Sequence, residues 1–147
     1  MQALYFAYGS NMASRRMHAR VPGARAIARA RLEGWRLVAD KPGRDGTAKA
    51  NLARDPGASV WGVLWELCES DLLALDRFEG GYERVAVTVD ADARAVAATT
   101  YASRLRSAPP GLERRYKAFV LEGAREHGLP PGWLALLESL PELRLEA

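Results

Sequence analysis

Cysteine is almost missing from this chain. Cys68 is the only one in 147 residues, which excludes an internal disulfide framework. Cys68 ends an apolar run and is expected to behave as a small buried hydrophobe. Histidine is scarce too: only His18 and His127 occur. No H-x-x-x-H, paired-His or C-x-x-C spacing appears, so no metal site is expected. Ser10 has no histidine near it in sequence, which argues against a Ser-His-acid triad. Gly43, Gly46 and Gly57 fit neither a P-loop nor a dinucleotide fingerprint, and no cofactor is expected. No apolar run approaches the roughly 18 residues that a membrane span requires. The N-terminus lacks a basic region before an apolar stretch, so no secretory signal is read. A cytoplasmic protein is the expectation.

An excess of one charge is also lacking. The 21 basic residues are offset by 18 acidic ones, giving a net charge of +3. The densest basic cluster, Arg104, Arg106, Arg114 and Arg115, has little aromatic interleaving. It reads as solvated surface, with neither nucleic acid nor membrane as a partner. What the chain does have is 48% hydrophobic residues, enough for a core without metal or disulfide staples. Its length suits a single domain over residues 1–147.

The pattern predicts a strand over residues 2–7 and a short helix over 12–20, stopped by Val21-Pro22-Gly23. A second strand is expected from Trp35 to Ala39. Lys41 to Lys49 reads as a polar loop that could close over a pocket, and Asp55-Pro56-Gly57 as a turn. Val60 to Leu67 is almost continuously apolar, a strand covered on both faces. Ser70 is placed to cap a helix over 71–78, which Gly80-Gly81 breaks. Residues 84–102 read as a hairpin turning at Asp90-Ala91-Asp92. Residues 107–111 form a loop. A long helix follows over 112–127, with Leu112, Tyr116, Phe119, Val120, Gly123 and His127 on one stripe. The last helix runs from Pro130-Pro131 to Leu140. Strands first and long helices last make an α+β pattern. The four tryptophans are expected in core and rim packing.

Two places could carry chemistry. At Tyr8-Gly9-Ser10-Asn11 an apolar strand stops at a turn, and Ser10 and Asn11 are placed to cap the helix that follows. Such a junction presents free backbone N–H groups to a carboxylate, phosphate or oxyanion. At the end of the 71–78 helix, Glu79 lies seven residues from Leu72 and returns to the apolar arc. A carboxylate held there is desolvated, its pKa rises, and it suits proton transfer near neutrality. Asp76 at the edge of that arc and Glu83 are the rivals. Asp71 reads as a favourable charge in the first turn.

Tyr8-Gly9-Ser10-Asn11, then Val60-Trp61-Gly62-Val63, then Leu75-Asp76-Arg77-Phe78-Glu79-Gly80 resemble, in order and spacing, the motifs of the γ-glutamylcyclotransferase-like family. The tail segments Ser107-Ala108-Pro109-Pro110, Tyr116-Lys117, Gly123-Ala124-Arg125-Glu126 and Gly128-Leu129-Pro130 resemble animal members. The resemblance implies a small mixed β-barrel flanked by helices, with its pocket at the barrel mouth. It implies that the α-amine of a γ-glutamyl group attacks its own γ-carbonyl. That attack releases 5-oxoproline and an amine or amino acid. Glu79 maps onto the family's acid/base. Tyr8, Gly9, Ser10, Asn11, Tyr82 and Tyr116 map onto substrate-binding positions. Glu79-Gly80-Gly81-Tyr82 is shorter than the corresponding animal segment, which leaves the place of Tyr82 open. Dimers occur in that family, so a homodimer is one assembly open to this chain. A second reading is a non-catalytic binding or interaction module that uses the same pocket. A third is an enzyme that removes a γ-glutamyl protecting group by the same cyclisation.

Overall fold

The first apolar run forms β1 (Gln2–Ala7), which goes from exposed to fully buried along its length. A short 3-10 turn over Ser10–Met12 leads into α1 (Ser14–Arg20). Two long strands follow, β2 (Arg25–Pro42) and β3 (Ala48–Cys68), then α2 (Glu69–Phe78). β4 (Glu83–Ala91) and β5 (Arg94–Ala102) form a hairpin, and α3 (Arg114–Glu126) and α4 (Pro131–Glu138) complete the chain. This is a computed structural model that describes residues 2–107 and 110–143. Ala108 and Pro109 of the expected 107–111 loop lie outside the described residues.

The five strands close into a barrel in the order β1-β3-β2-β4-β5. Every neighbouring pair is antiparallel except β1 and β5, which meet in parallel at Tyr5 and Thr99. An odd ring of strands cannot close on antiparallel pairs alone, so one parallel seam is a geometric necessity. Side chains reinforce that seam. Thr100 donates to the Phe6 carbonyl at 2.8 Å, and Tyr8 donates to the Tyr101 carbonyl at 2.6 Å. The core holds Phe6, Leu32 and Leu64 on one face of the sheet and Trp65 on the other, where its ring meets His18 and His127; all four are at 2% exposure or less.

Several boundaries differ from the sequence expectation, each for a local reason. β2 starts at Arg25 rather than Trp35. Its first half alternates arginine with alanine, a low-contrast pattern for an amphipathic strand. β3 runs straight through Asp55-Pro56-Gly57. The register moves from Glu33 opposite Ser59 to Trp35 opposite Arg54, so residues 55–58 bulge out opposite Gly34. The 41–49 segment is the tip of this long β2–β3 hairpin, paired at Lys41–Lys49 and Pro42–Ala48. Ser10 and Asn11 do not cap α1, whose N-cap is Ala13 with no side-chain bond. Ser70 does not cap α2 either. That helix starts at Glu69, and the Asp71 carboxylate accepts from the Cys68 N–H at 3.0 Å. Cys68 is exposed because it is the strand-to-helix exit. The β4–β5 turn falls at Asp92-Ala93, both with positive φ, two residues later than Asp90, as in a two-residue primed turn. α3 runs from Arg114 to Glu126, and Glu113 caps it by accepting from the N–H groups of Arg115 and Tyr116.

α3 positions the site. Gly123 sits where a Cβ would lie 2.4 Å from the Ala13 nitrogen and from the Met12 carbonyl carbon. Only a residue without a side chain lets α3 lie directly on the turn that carries Ser10 and Asn11.

Candidate active site

A cavity of about 420 Å³ opens at the end of the barrel where β1 leaves it. Its walls are the 8–11 turn, α1, the end of α2 and the tip of the β2–β3 hairpin. That volume suits a small-molecule substrate. All five tyrosines of the chain line it. The structure brings Tyr8, Gly9, Ser10, Asn11, Glu79, Tyr82 and Tyr116 into this one pocket.

Glu79 is the residue after α2, at its C-cap. Leu72 and Leu75 are buried against the barrel, and the helix phase carries Glu79 inward with them. Its side chain is 13% exposed. Asn11 Nδ2 donates to Glu79 Oε1 at 3.1 Å and to the Tyr5 hydroxyl at 3.1 Å. Asn11 Oδ1 accepts from Arg20 at 3.0 Å. The asparagine amide is thereby held in one orientation, with its donors on Glu79 and Tyr5. Burial raises the pKa of Glu79, and the charges of Arg20, Lys41 and Arg16 and the Asn11 bond only partly offset it. Asn11 serves the carboxylate instead of capping α1.

The turn before α1 supplies donors. The N–H groups of Gly9, Ser10 and Asn11 have no acceptor among the described residues. Ser10 and Asn11 are both 5% exposed or less. Gly9 allows close packing: a Cβ there would lie 2.9 Å from the Tyr116 hydroxyl. That hydroxyl accepts from the Ala50 N–H at 3.2 Å, and Tyr82 donates to the Ala50 carbonyl at 2.5 Å. One peptide residue of β3 thus fixes two tyrosines. The short 79–82 segment still delivers Tyr82 to the pocket, through a turn closed by the Tyr82 N–H on the Glu79 carbonyl at 3.0 Å. Burial pushes the hydroxyls of Tyr5, Tyr8, Tyr82 and Tyr116 up, so they stay protonated at neutral pH.

The rival carboxylates are elsewhere. Asp76 faces outward, 38% exposed, in a two-pronged pair with Arg84 at 2.7 and 2.9 Å. Tyr101 also donates to it at 2.7 Å. The bond from Arg84 above all, with that from Tyr101, holds its pKa below the ordinary carboxylate value against the opposing effect of burial. Glu83 is 65% exposed on β4. Asp76→Asn is therefore expected to leave turnover within about twofold. Its cost in stability should not exceed about 1 kcal/mol, the ceiling for an exposed ion pair. A steady-state assay and a thermal melt check both. The histidines lie outside the pocket. His18 bonds the Ala24 carbonyl at 2.9 Å, and His127 approaches Ser14 at 3.4 Å. Ser10 has no histidine beside it.

Sequence reading missed Arg16, Arg20, Lys41, Tyr5 and Tyr101, all of which line the cavity. Arg16 and Arg20 are four apart on α1, one face of a helix, and that spacing was a usable signal. Lys41 was not findable: only the long hairpin brings it to α2.

Barrel and pocket together define a γ-glutamyl cyclotransferase fold. A solved structure titled γ-glutamyl cyclotransferase superposes with a TM-score of 0.90 at 31% identity, covering 97% of this chain and 90% of that one. The chain belongs to the γ-glutamyl cyclotransferase, AIG2-like family, whose profile matches residues 5–118. It is similar to the γ-glutamylcyclotransferase of Bos taurus, 34% identical over 93% of this chain and 78% of that protein. The Homo sapiens γ-glutamylcyclotransferase is 33% identical over 86% of this chain and 72% of that protein. The chain is accordingly a cyclotransferase-like enzyme. Among the described residues no helix is long and apolar enough to cross a membrane.

Proposed function

We infer that this protein releases 5-oxoproline and a free amine from a γ-glutamyl amino acid or γ-glutamyl amine, within a single domain over residues 1–147. The observation that carries this reading is Glu79: a desolvated carboxylate with raised pKa, held by Asn11 beside unpaired backbone N–H groups.

The substrate contains both nucleophile and electrophile. The enzyme's task is to fold it so that the α-nitrogen lies against the γ-carbonyl carbon. The tyrosine walls confine the chain to that curled conformer. Glu79 takes a proton from the α-ammonium, and the freed amine attacks the γ-carbonyl. The new C–N bond closes a five-membered ring, and the carbonyl electrons move to oxygen. The N–H groups of Gly9, Ser10 and Asn11 hold the developing oxyanion or the substrate's carboxylate. Glu79 then gives its proton to the departing nitrogen as the old C–N bond breaks and the carbonyl re-forms; it next takes the second proton from the ring nitrogen and passes it to the released amine, which leaves as an ammonium ion. One carboxyl serves every transfer, so no covalent enzyme intermediate, metal or redox cofactor enters the scheme. The setting proposed for this reaction is the cytoplasm, with a small-molecule substrate.

Incubation with a panel of γ-glutamyl amino acids and γ-glutamyl amines tests this. Release of 5-oxoproline supports the enzyme reading. Binding of the panel with no product from any member would instead make the pocket a binding module.

A further inference from the structure

We propose that Tyr5 is a second catalytic residue: its hydroxyl donates a hydrogen bond to the γ-carbonyl oxygen of the substrate as that oxygen takes up negative charge. The proposal rests on the cyclotransferase reading above and goes beyond it by naming a side-chain donor for the reacting oxygen.

Five tyrosines line the cavity, and the hydroxyl hydrogens of four have a place to go. Tyr8 donates to the Tyr101 carbonyl at 2.6 Å, Tyr82 to the Ala50 carbonyl at 2.5 Å and Tyr101 to Asp76 at 2.7 Å. Tyr116 has the Ser10 side chain within bonding reach, and a serine oxygen also accepts. Tyr5 differs. Its hydroxyl oxygen accepts from Asn11 Nδ2 at 3.1 Å, and its hydrogen meets no acceptor among the described residues. Asn11 cannot be that acceptor. Arg20 has donors only, so the Asn11 atom 3.0 Å from it is Oδ1, and the atom facing Tyr5 and Glu79 is the amide nitrogen. Nδ2 spends one hydrogen on each. The Tyr5 hydrogen is left for whatever enters the cavity.

The ring is fixed. It is 5% exposed, stands on β1 between β3 and β5, and meets the Tyr101 ring edge-on at 5.8 Å. Asn11 also sets its distance from the base: Tyr5 Oη and Glu79 Oε1 each lie 3.1 Å from the same nitrogen. A carboxylate and a hydroxyl so placed address the two partners of one bond-forming step, the attacking nitrogen and the oxygen of the carbon it attacks. Burial and the Glu79 charge push the phenol up, so it stays protonated and gives a hydrogen bond rather than a proton. The donation from Asn11 polarises the O–H and strengthens it as a donor. As the α-nitrogen bonds to the γ-carbon, the carbonyl π electrons move to oxygen and the bond from Tyr5 tightens. When the amine leaves, those electrons return to the C=O bond and the hydrogen is still on Tyr5. All proton transfer stays with Glu79. A bond that strengthens only in the transition state raises kcat and leaves KM nearly alone.

The test uses Tyr5→Phe with the best substrate of the γ-glutamyl panel and with its γ-thioamide, which has sulfur in place of the γ-carbonyl oxygen. Free amine is read for both. On the amide, Tyr5→Phe is expected to lower kcat about 10²- to 10³-fold, the cost of one missing oxyanion donor, with KM within about threefold. The acid-side midpoint of the pH–rate profile should stay at its native place, because Tyr5 acts on the oxygen and not through Glu79. Sulfur is a weak acceptor, so the native enzyme should favour the amide, and Tyr5→Phe should reduce that preference at least about tenfold. A preference unchanged in Tyr5→Phe, a kcat near the native value, or a loss that comes with a shifted acid-side midpoint overturns the proposal with the reaction intact. If Tyr5→Phe does not fold by circular dichroism, the native protein decides: a preference for the amide of about tenfold or more supports the proposal, and a ratio near one overturns it. No 5-oxoproline from any member of the panel overturns the reaction, and the role of Tyr5 with it.

Discussion

Glu79→Gln is expected to cut kcat/KM for 5-oxoproline release by about 10²- to 10⁴-fold, the usual contribution of a positioned acid/base. The fold and substrate binding should survive. Glutamine has nearly the same shape, and its carbonyl oxygen can still accept from Asn11 Nδ2, which lies 3.1 Å from Glu79 Oε1. It cannot take a proton from the substrate ammonium. Stability gives an independent check. The folded-state pKa of Glu79 is raised above 4.5 by burial, so between 4.5 and that raised value the folded state holds more protons than the unfolded one. Stability from this group therefore falls as pH rises through that window. At neutral pH the full penalty of a buried carboxylate is present. Glu79→Gln removes it, and the variant should melt at or above the native temperature at pH 7, with the difference vanishing below pH 4.5. The native pH–rate profile should lose activity on the acid side with a midpoint above the ordinary glutamate value. A variant that melts lower but turns over normally would make Glu79 structural.

Gly123→Ala is expected to lower both stability and turnover, against the rule for helices. In a helix interior that change favours folding by about 1 kcal/mol through propensity. Here the added Cβ would meet the Ala13 nitrogen and the Met12 carbonyl carbon at 2.4 Å. These are backbone atoms that cannot rotate away. Overpacking costs about 1–3 kcal/mol, so the steric effect wins or at least cancels the propensity gain. For a chain of this size the net of about 0–2 kcal/mol is a fall in Tm of up to roughly 8 °C. α3 can relieve the clash only by backing away from the 10–13 segment, which carries Ser10 and Asn11 into the pocket. A shift on the order of 1 Å there costs about 10²-fold in rate. A rise in Tm with normal turnover would show that α3 does not bear on the turn.

Much of this site was legible in the chain because its signals are local. β1 ends in a turn that the sequence spells as Tyr8-Gly9-Ser10-Asn11, and helix phase turns Glu79 inward, although phase left Asp76 and Glu83 as rivals that only the family resemblance set aside. The 83–102 hairpin was legible for the same reason: Val85, Val87 and Val89 point inward while Arg84, Ala86 and Thr88 are exposed. The capping assignments failed because polar side chains near a helix start have competing partners. Asn11 is drawn to Glu79, 68 positions away, and no local rule weighs that. The length of β2 and β3 was hidden by composition. Arg25, Arg29 and Arg31 alternate with small alanines, and Asp55-Pro56-Gly57 reads as a chain reversal when it is a bulge within a paired strand. Lys41 shows the remaining limit. A lysine in a polar, glycine-containing stretch reads as solvated, and only the hairpin's reach across the barrel mouth buries it.

The most direct measurement is the identity of the product released from a γ-glutamyl amino acid by the native protein. Cyclisation predicts 5-oxoproline and free amine in equal amounts, with both released about 10²- to 10⁴-fold more slowly by Glu79→Gln. Free glutamate in place of 5-oxoproline would mean that water is the nucleophile, and would contradict the account at its centre.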